Sequence, residues 1–355
     1  MPSHIGFGIP FMRRRGYDVG FPPEAARGLL WRIDQAIAGR GLTSPVGRLA
    51  VQRAAYSVLH DYDLVYSAPY GLCFGVVLEC LHALGVVNTP IVAIAHNPPR
   101  YTHRWLPRPV LRWALKGCDA VPCLSTVAAE AIAATPGLEG RASLTPLGPD
   151  AGFYPSPEEP GTGIIAAGTT FRDFVSLGRA ASGTDVPVRI VCPRSAVTRE
   201  FATFGSNVEV VDPPRGAVPY RELAGMYAGA RAIAIPLARV DRLCGAWSLL
   251  DALGAGKPVI MTRHPLHELD VEAAGIGRLV EPGDINGWRA ALEFFHAEPE
   301  AAVTMGRRAR ALVDGGLNCE SFANRIMDIF DSVLGIDTRA GTPSRKGGDE
   351  HDCTD

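Results

Sequence analysis

The segment RAIAIPLARVDRLCGAWSLLDALGAGKPVIM, residues 231–261, decides the fold class of this 355-residue chain. Two apolar runs, Ala232–Ile235 and residues 258–261, are typical of buried strands, and the pattern between them predicts a helix over residues 249–253. Strand, helix and strand joined by short links indicate a parallel sheet covered by helices, which places the chain in the α/β class.

The same alternation fills two parts of the chain, and a proline-rich segment over residues 144–160 separates them. Two α/β halves joined by such a hinge predict two domains facing across a cleft, and ligands of open parallel sheets bind beyond the carboxyl ends of the strands. We predict an N-terminal domain over residues 1–150, a C-terminal domain over residues 151–318, a closing helix over residues 319–336 and a disordered tail over residues 337–355.

The bulk composition favours a globular protein of a reducing compartment, which we take to be the cytoplasm. The hydrophobic fraction of 47% suits a protein with large buried cores. The net charge of -2 gives the chain no global basic field to attract nucleic acid. Its eight cysteines form no C-x-x-C pair, which predicts free thiols and no structural metal. The N-terminus lacks the pattern of a secretory signal. The longest apolar run, residues 71–87, contains Glu79 and His82, which favours a buried helix over a membrane span.

Three motifs carry a family resemblance through their order and spacing. They are LTPLGPD at residues 144–150, VPYREL at residues 218–223, and LCGAWSLLDALGAGKPVI at residues 243–260, followed by Gly283-Asp284. They resemble, in turn, the I-P-N-G-V-D, V-x-x-x-E-L and E-G-F-G-x-x-x-x-E-A-M-A-x-G-K-P-V motifs of the retaining glycosyltransferases of the GT-B fold, specifically the large family-four group.

The resemblance implies two Rossmann-like domains, the N-terminal one binding an acceptor and the C-terminal one a nucleotide sugar. It also implies transfer of the sugar to an acceptor hydroxyl with retention of configuration, without a metal or cofactor. The acceptor can be a small molecule, a glycan or a lipid-linked molecule. The first 60 residues depart from the family, which opens with a strand, a Gly-rich loop and a long helix. Here only the apolar run at residues 5–10 precedes three arginines.

The family places two glutamates, eight positions apart, around the donor. Asp251 stands at the second position, which implies that it binds the ribose hydroxyls, although a first-turn helix acid is the plainer interpretation. Leu243 stands at the first, so the carboxylate beside the transferred sugar is missing or Asp241 supplies it from a shifted loop.

Phosphate contacts are expected from two glycine-containing segments. Backbone amides at the start of the predicted helix bind phosphate oxygens, with Ser248 adding a hydroxyl or capping the helix. By the resemblance, Arg172 takes the place of the family's phosphate-binding lysine, while Asp173 either orients Arg172 or caps a helix. The predicted donor-binding residues are Gly168, Thr169, Arg172, Gly245, Ala246, Trp247, Ser248 and Asp251.

His96 follows an apolar strand, where many members of the family carry a histidine beside the transferred sugar; the alternative is a polar residue that closes a buried strand. We therefore predict His96 and Arg172 as the catalytic residues. The other histidines give no sequence signal.

A basic and aromatic stretch over residues 100–116 suits contact with an anionic membrane or a lipid-linked acceptor, or is simply a solvated face in which Pro107 and Pro109 break the helix. Two alternative functions stay open: a nucleotide-sugar-binding partner without catalysis, and a nucleotide-sugar epimerase of the same fold. Nothing in the sequence indicates the oligomeric state.

Overall fold

A computed structural model describes most of the chain. The described residues are 1–38, 48–68, 75–98, 107–155, 161–213 and 218–336. The predicted tail over residues 337–355 and the first part of the basic stretch, residues 100–106, lie outside them.

The second half of the chain forms one parallel sheet of six strands. These are β5 (Ile164–Ala167), β6 (Val188–Val191), β7 (Val208–Val211), β8 (Ala232–Ile235), β9 (Val259–Thr262) and β10 (Gly277–Val280). Their order is β10-β9-β8-β5-β6-β7, the doubly wound arrangement in which the chain reverses direction across the sheet between β5 and β8. Such a switch point leaves a crevice beyond the carboxyl ends of those two strands.

A smaller parallel sheet lies in the first half. Its strands are β1 (Val65–Ser67), β2 (Ile91–Ala93), β3 (Val121–Cys123) and β4 (Ala142–Leu144). β1 pairs with β2 and β3 with β4, and the bridges Val92–Ala120 and Ala95–Cys123 join the two pairs. The strands therefore run side by side in chain order, and the α/β class and two-domain arrangement predicted from the sequence are confirmed.

Helices connect and cover these strands. In the first half they are α1 (Ile9–Arg14), α2 (Leu29–Ala38), α3 (Leu49–Tyr56), α4 (Val76–Ala83), α5 (Arg108–Lys116) and α6 (Thr126–Ala133). In the second half they are α7 (Phe174–Ala181), α8 (Tyr220–Gly229), α9 (Ala246–Gly254), α10 (Ile285–Ala297), α11 (Pro299–Asp314) and α12 (Cys319–Leu334).

Helices cover both faces of the large sheet. Ile233 and Ile235 of β8 join the apolar cluster on one face, whereas Ala232 and Ala234 join the cluster on the other, which includes the fully buried Trp288 of α10. Alternate side chains of a strand point to opposite faces, so burial of all four explains why β8 reads as an unbroken apolar run.

The last helix, α12, returns to the first half of the chain. Asn318 caps it by accepting a hydrogen bond from the backbone N–H of Ser321. Phe322 and Ile326 then pack in one buried cluster with Phe7 and with Ile94, so the C-terminal helix completes the N-terminal core.

Three local features can be compared with the sequence expectations, and the helix that contains Pro109 differs from them. No strand forms near the N-terminus among the described residues, where turns over residues 3–8 lead into α1. Pro109 does not break a helix, because it occupies the first turn of α5, where its missing N–H has no helical partner to lose. Within the described residues, no helix is long and apolar enough to cross a membrane.

The contribution of α12 to stability can be tested with Phe322→Ala. Phe322 is 0% exposed, so we expect the free energy of unfolding in urea to fall by about 3–5 kcal/mol. Phe21→Ala is the matched control, since Phe21 is 65% exposed and its loss costs no more than about 0.5 kcal/mol. Equal losses in the two variants would contradict the packing described for α12.

Candidate functional site

The switch point of the large sheet opens into a cavity of about 680 Å³. The loops after β5, β8 and β9 form one wall, and residues that follow β2, among them His96 and Asn97, contribute from the opposite half. The cavity thus lies in the cleft between the halves, where the fold places a ligand.

The loop after β5 has a constrained backbone. Gly168 has a φ of 144°, and Phe171 has a φ of 51°, unusual for a residue with a side chain. The loop is held by a hydrogen bond from the N–H of Ala238 to the carbonyl of Phe171 (2.9 Å). Asp173 accepts a hydrogen bond from the N–H of Ser176 and caps α7, which decides between its two predicted roles.

This loop delivers the guanidinium of Arg172 into the cavity wall. Nη2 of Arg172 donates a hydrogen bond to Oγ of Ser248 (2.8 Å). A Cβ atom at Gly168 would lie 2.5 Å from Nε of Arg172, and one at Gly245 would lie 3.3 Å from Nη1, so two glycines make room for the group. Nε and Nη1 are buried and have no hydrogen-bond partner among the described residues. Burial also lowers the pKa of the Arg172 guanidinium, because the charged form is poorly solvated there. An anion placed beside the guanidinium would stabilise that charged form.

The N-terminus of α9 faces the same cavity. The helix starts at Ala246, three residues before the predicted start, so Trp247 and Ser248 lie in its first turn. Gly245 is the N-cap residue with a φ of 75°, and no side chain caps the helix. Ser248 is therefore not a cap. The first-turn amides of a helix lack intrahelical partners and bind anions.

Asp251 lies one turn further along α9 and is buried. Its Oδ1 accepts a short hydrogen bond from the hydroxyl of Tyr154, and burial and Asp251 together raise the pKa of Tyr154. Nε2 of His4 lies 3.6 Å from the same oxygen, too far for a hydrogen bond, while Nδ1 of His4 accepts from the N–H of Asp150 (3.2 Å). One oxygen of Asp251 is thus already engaged, and its ribose role stays a prediction.

The opposite wall includes His96 from the first half of the chain. His96 packs against Phe7 and against Trp247 of α9, with ring centroids 5.4 and 6.4 Å apart. Burial lowers the pKa of His96 to about 4, and its Nε2 has no partner among the described residues. His96 is therefore a neutral imidazole at the cavity surface at neutral pH.

Neither Asp241 nor Glu268 supplies a free carboxylate at the sugar end of the predicted donor site. The N–H of Leu243 donates to Oδ1 of Asn97 (2.6 Å), so Leu243 lines the cavity beside the N-terminal wall. Asp241 is exposed and is not a lining residue. Glu268, which does line the cavity, accepts hydrogen bonds from the N–H (2.6 Å) and the hydroxyl (2.8 Å) of Thr126 across the cleft.

All the predicted site residues border one cavity. The lining includes His96, Gly168, Thr169, Arg172, Gly245, Ala246, Trp247, Ser248 and Asp251. Thr169 is exposed, and its hydroxyl is 3.3 Å from that of Thr170. Sequence reasoning did not single out three residues that contact this region: His4 and Tyr154, which lie beside Asp251, and His267, which is bonded to Cys244. Each contacts a residue at least 23 positions away in the chain, so no local pattern marks it.

The room made by Gly245 can be tested with Gly245→Ala. The positive φ and the short contact of the new methyl group with Leu237 should lower the free energy of unfolding by about 1–3 kcal/mol. Gly225→Ala is the control, since Gly225 is exposed within α8 with open space around it, and there alanine should stabilise by about 0.5–1 kcal/mol. Urea titrations that show the same sign for both variants would contradict this packing.

No protein-family model matches the sequence, and a comparison with curated proteins finds no match. Solved structures do match. A glycosyltransferase from Rickettsia africae superposes with a TM-score of 0.64 at 12% identity, covering 94% of this chain and 94% of that chain. Anabaena HepE in complex with UDP-glucose gives 0.61 at 14% identity, covering 86% and 90%. Sucrose-phosphate synthase from Thermosynechococcus elongatus gives 0.57 at 15% identity, covering 87% and 78%. These likenesses show the fold: the chain has the GT-B architecture of two Rossmann-like domains facing across a cleft.

Proposed function

We propose that this protein is a glycosyltransferase that moves a sugar from a nucleoside diphosphate to an acceptor hydroxyl. The observation that carries the proposal is the buried guanidinium of Arg172, whose Nε and Nη1 lack partners among the described residues at the switch point of the large sheet. Such a group is costly to bury unless an anion binds it. A diphosphate supplies that anion, and the adjoining N-terminus of α9 supplies further donors.

The donor then extends from the C-terminal half toward the N-terminal half. Its diphosphate lies against Arg172 and Ser248, and its sugar points to the wall that contains His96 and Asn97. HepE, a structural neighbour, was solved with UDP-glucose, which supports a uridine nucleotide as the first donor class to test. The acceptor enters from the N-terminal side.

In the transfer step, the acceptor oxygen forms a bond to the anomeric carbon while the bond from that carbon to the phosphate oxygen breaks. The diphosphate leaves with the bonding electron pair, and its departing oxygen takes up the proton that the acceptor hydroxyl loses. Arg172 and the α9 amides stabilise the charge that grows on the leaving group, so this proposal needs neither a metal nor a cofactor. We also propose retention of configuration, as the motif resemblance implies.

A catalytically impaired binding partner is the second candidate, and Leu243 is the observation that favours it. A leucine cannot orient a sugar hydroxyl in the way that a carboxylate does. Incubation with a labelled donor distinguishes the candidates, because a binding partner gives neither transfer nor slow hydrolysis. An epimerase would convert the donor without any acceptor.

We place the enzyme in the cytoplasm, where free thiols persist; the described cysteines, such as Cys118 and Cys123, are unpaired. Peripheral contact with a membrane is a further proposal. It is supported by α5, which exposes Val110 and Trp113 beside basic residues.

Nucleotide binding can be measured by thermal unfolding with UDP, GDP, ADP, CDP and dTDP. We expect one of them, at about 100 times its dissociation constant, to stabilise the protein by about 2–3 kcal/mol and to raise the midpoint. The nucleoside monophosphate should give a smaller shift, since it lacks the second phosphate. If none of the nucleotides moves the midpoint, the proposed function is wrong.

Arg172→Gln tests the phosphate role directly. Turnover should fall by about 100-fold or more, and the midpoint shift caused by the diphosphate should disappear. Without ligand, the variant should be as stable as the wild type or more so, because a desolvated cation has been removed. Arg179→Gln, at an exposed position on α7, is the control and should leave both measurements unchanged. Retained turnover in Arg172→Gln would refute the assignment.

A further inference from the structure

His267 is a cavity-lining residue that the proposed mechanism does not use. It lies in the loop after β9, and its Nε2 is 2.7 Å from the carbonyl oxygen of Cys244. A carbonyl oxygen only accepts hydrogen bonds, so Nε2 carries the ring proton and donates it. In a neutral ring, Nδ1 then holds a lone pair and is a hydrogen-bond acceptor.

The surroundings keep this ring neutral and in place. Burial, together with the nearby His264 and Arg172, lowers the pKa of His267 to about 4, although the bond to Cys244 acts in the opposite direction. His264 packs edge-on against His267 at 5.7 Å, and its own ring nitrogens contact the carbonyl of Val240 (3.1 Å) and the N–H of Leu266 (3.2 Å). The loop that presents His267 is therefore anchored at two rings.

Cys244, the hydrogen-bond partner of His267, places this histidine between the Arg172 side of the cavity and the N-terminal wall. Cys244 lies between Gly245, which borders the Arg172 guanidinium, and Leu243, whose N–H is bonded to Asn97 of the N-terminal wall. A group attached to a diphosphate at Arg172 and directed at that wall passes His267.

Three other lining residues already accept hydrogen bonds at their side-chain oxygens, whereas Nε2 of His96 has no partner among the described residues. Oδ1 of Asp251 accepts from Tyr154, both oxygens of Glu268 accept from Thr126, and Oδ1 of Asn97 accepts from Leu243. Nδ1 of His267, in contrast, has no hydrogen-bond partner among the described residues.

We infer that Nδ1 of His267 accepts a hydrogen bond from a hydroxyl of the transferred sugar, so that a neutral imidazole recognises the sugar where Leu243 offers no carboxylate. This inference rests on the proposed function and assigns the substrate class of its sugar subsite: an uncharged glycosyl group with a hydroxyl donor facing the loop after β9.

Two substitutions separate the two ring nitrogens. His267→Gln can place an amide N–H near the position of Nε2, which preserves donation to the Cys244 carbonyl but removes the acceptor. His267→Asn can place an amide oxygen near the position of Nδ1, which preserves the acceptor but removes the bond to Cys244. A purely structural role would make Asn the more harmful change, whereas recognition of the sugar makes Gln the more harmful one.

The readout is the ratio of dissociation constants for a nucleoside diphosphate and for its glucose, galactose, mannose and N-acetylglucosamine derivatives, measured by calorimetry. The nucleotide is the one that stabilises the wild type. We expect His267→Gln to weaken the preferred sugar nucleotide by about tenfold with no change for the diphosphate, and His267→Asn to retain most of the preference.

A fluorine scan of the preferred donor gives a second measurement on the wild-type protein, since fluorine in place of a hydroxyl cannot donate. Replacement of one hydroxyl should weaken binding by about tenfold in the wild type and have no effect in His267→Gln, as expected for a coupled pair. The inference is overturned if no single replacement weakens wild-type binding, or if His267→Gln keeps the full preference. Failure of the wild type to bind any nucleotide would instead refute the proposed function.

Discussion

The cleft is organised around one buried cation, the guanidinium of Arg172. Among the described residues no carboxylate forms an ion pair with it, and its one hydrogen bond goes to the neutral hydroxyl of Ser248. Burial of a charge without a counter-charge costs several kcal/mol, so the surrounding structure must hold the group in place. It does so with a constrained loop after Gly168 and a left-handed turn at Gly245. Gly168 and Gly245 leave space for Arg172, and Gly245 also begins α9 and avoids contact with Ile235 and Leu237.

The second constraint is that α9 packs directly on the other half of the molecule. The ring of Trp247 in α9 contacts His4, Phe7 and His96, with centroids 5.6–6.4 Å apart. The N-terminal segment thus packs against Trp247, which lines the cavity, and Phe322 of α12 lies in the same buried cluster as Phe7. A change in the angle between the halves would alter these aromatic contacts, so the angle is coupled to the packing of the first ten residues.

Much of the framework could be predicted from local patterns. β8 was predicted at its observed bounds, because a strand buried on both faces is an unbroken apolar run. The phosphate role of Arg172 was predicted from the family resemblance, and the structure brings this residue to α9 because the end of β5 and the start of α9 meet at a parallel-sheet switch point. The start of α9 was predicted three residues late, since a left-handed glycine cap leaves no Ser, Thr, Asp or Asn signal at that position.

Sequence reasoning could not find the hydrogen-bond partners of the polar groups that line the cavity. Tyr154 engages Asp251, Thr126 engages Glu268 and Asn97 engages Leu243, and each pair is separated by about 100 residues or more. These partners are neutral donors, and a hydrogen bond from a neutral donor does not remove the charge of a carboxylate; Asp251 acts on Arg172 by raising the pKa of the guanidinium against the effect of burial. A further carboxylate at the sugar end would weaken the field of Arg172 and hold a diphosphate less strongly. A neutral acceptor such as Nδ1 of His267 can accept a hydrogen bond from a sugar hydroxyl without weakening the field of Arg172. A carboxylate in its place would accept the same bond but would repel the phosphates.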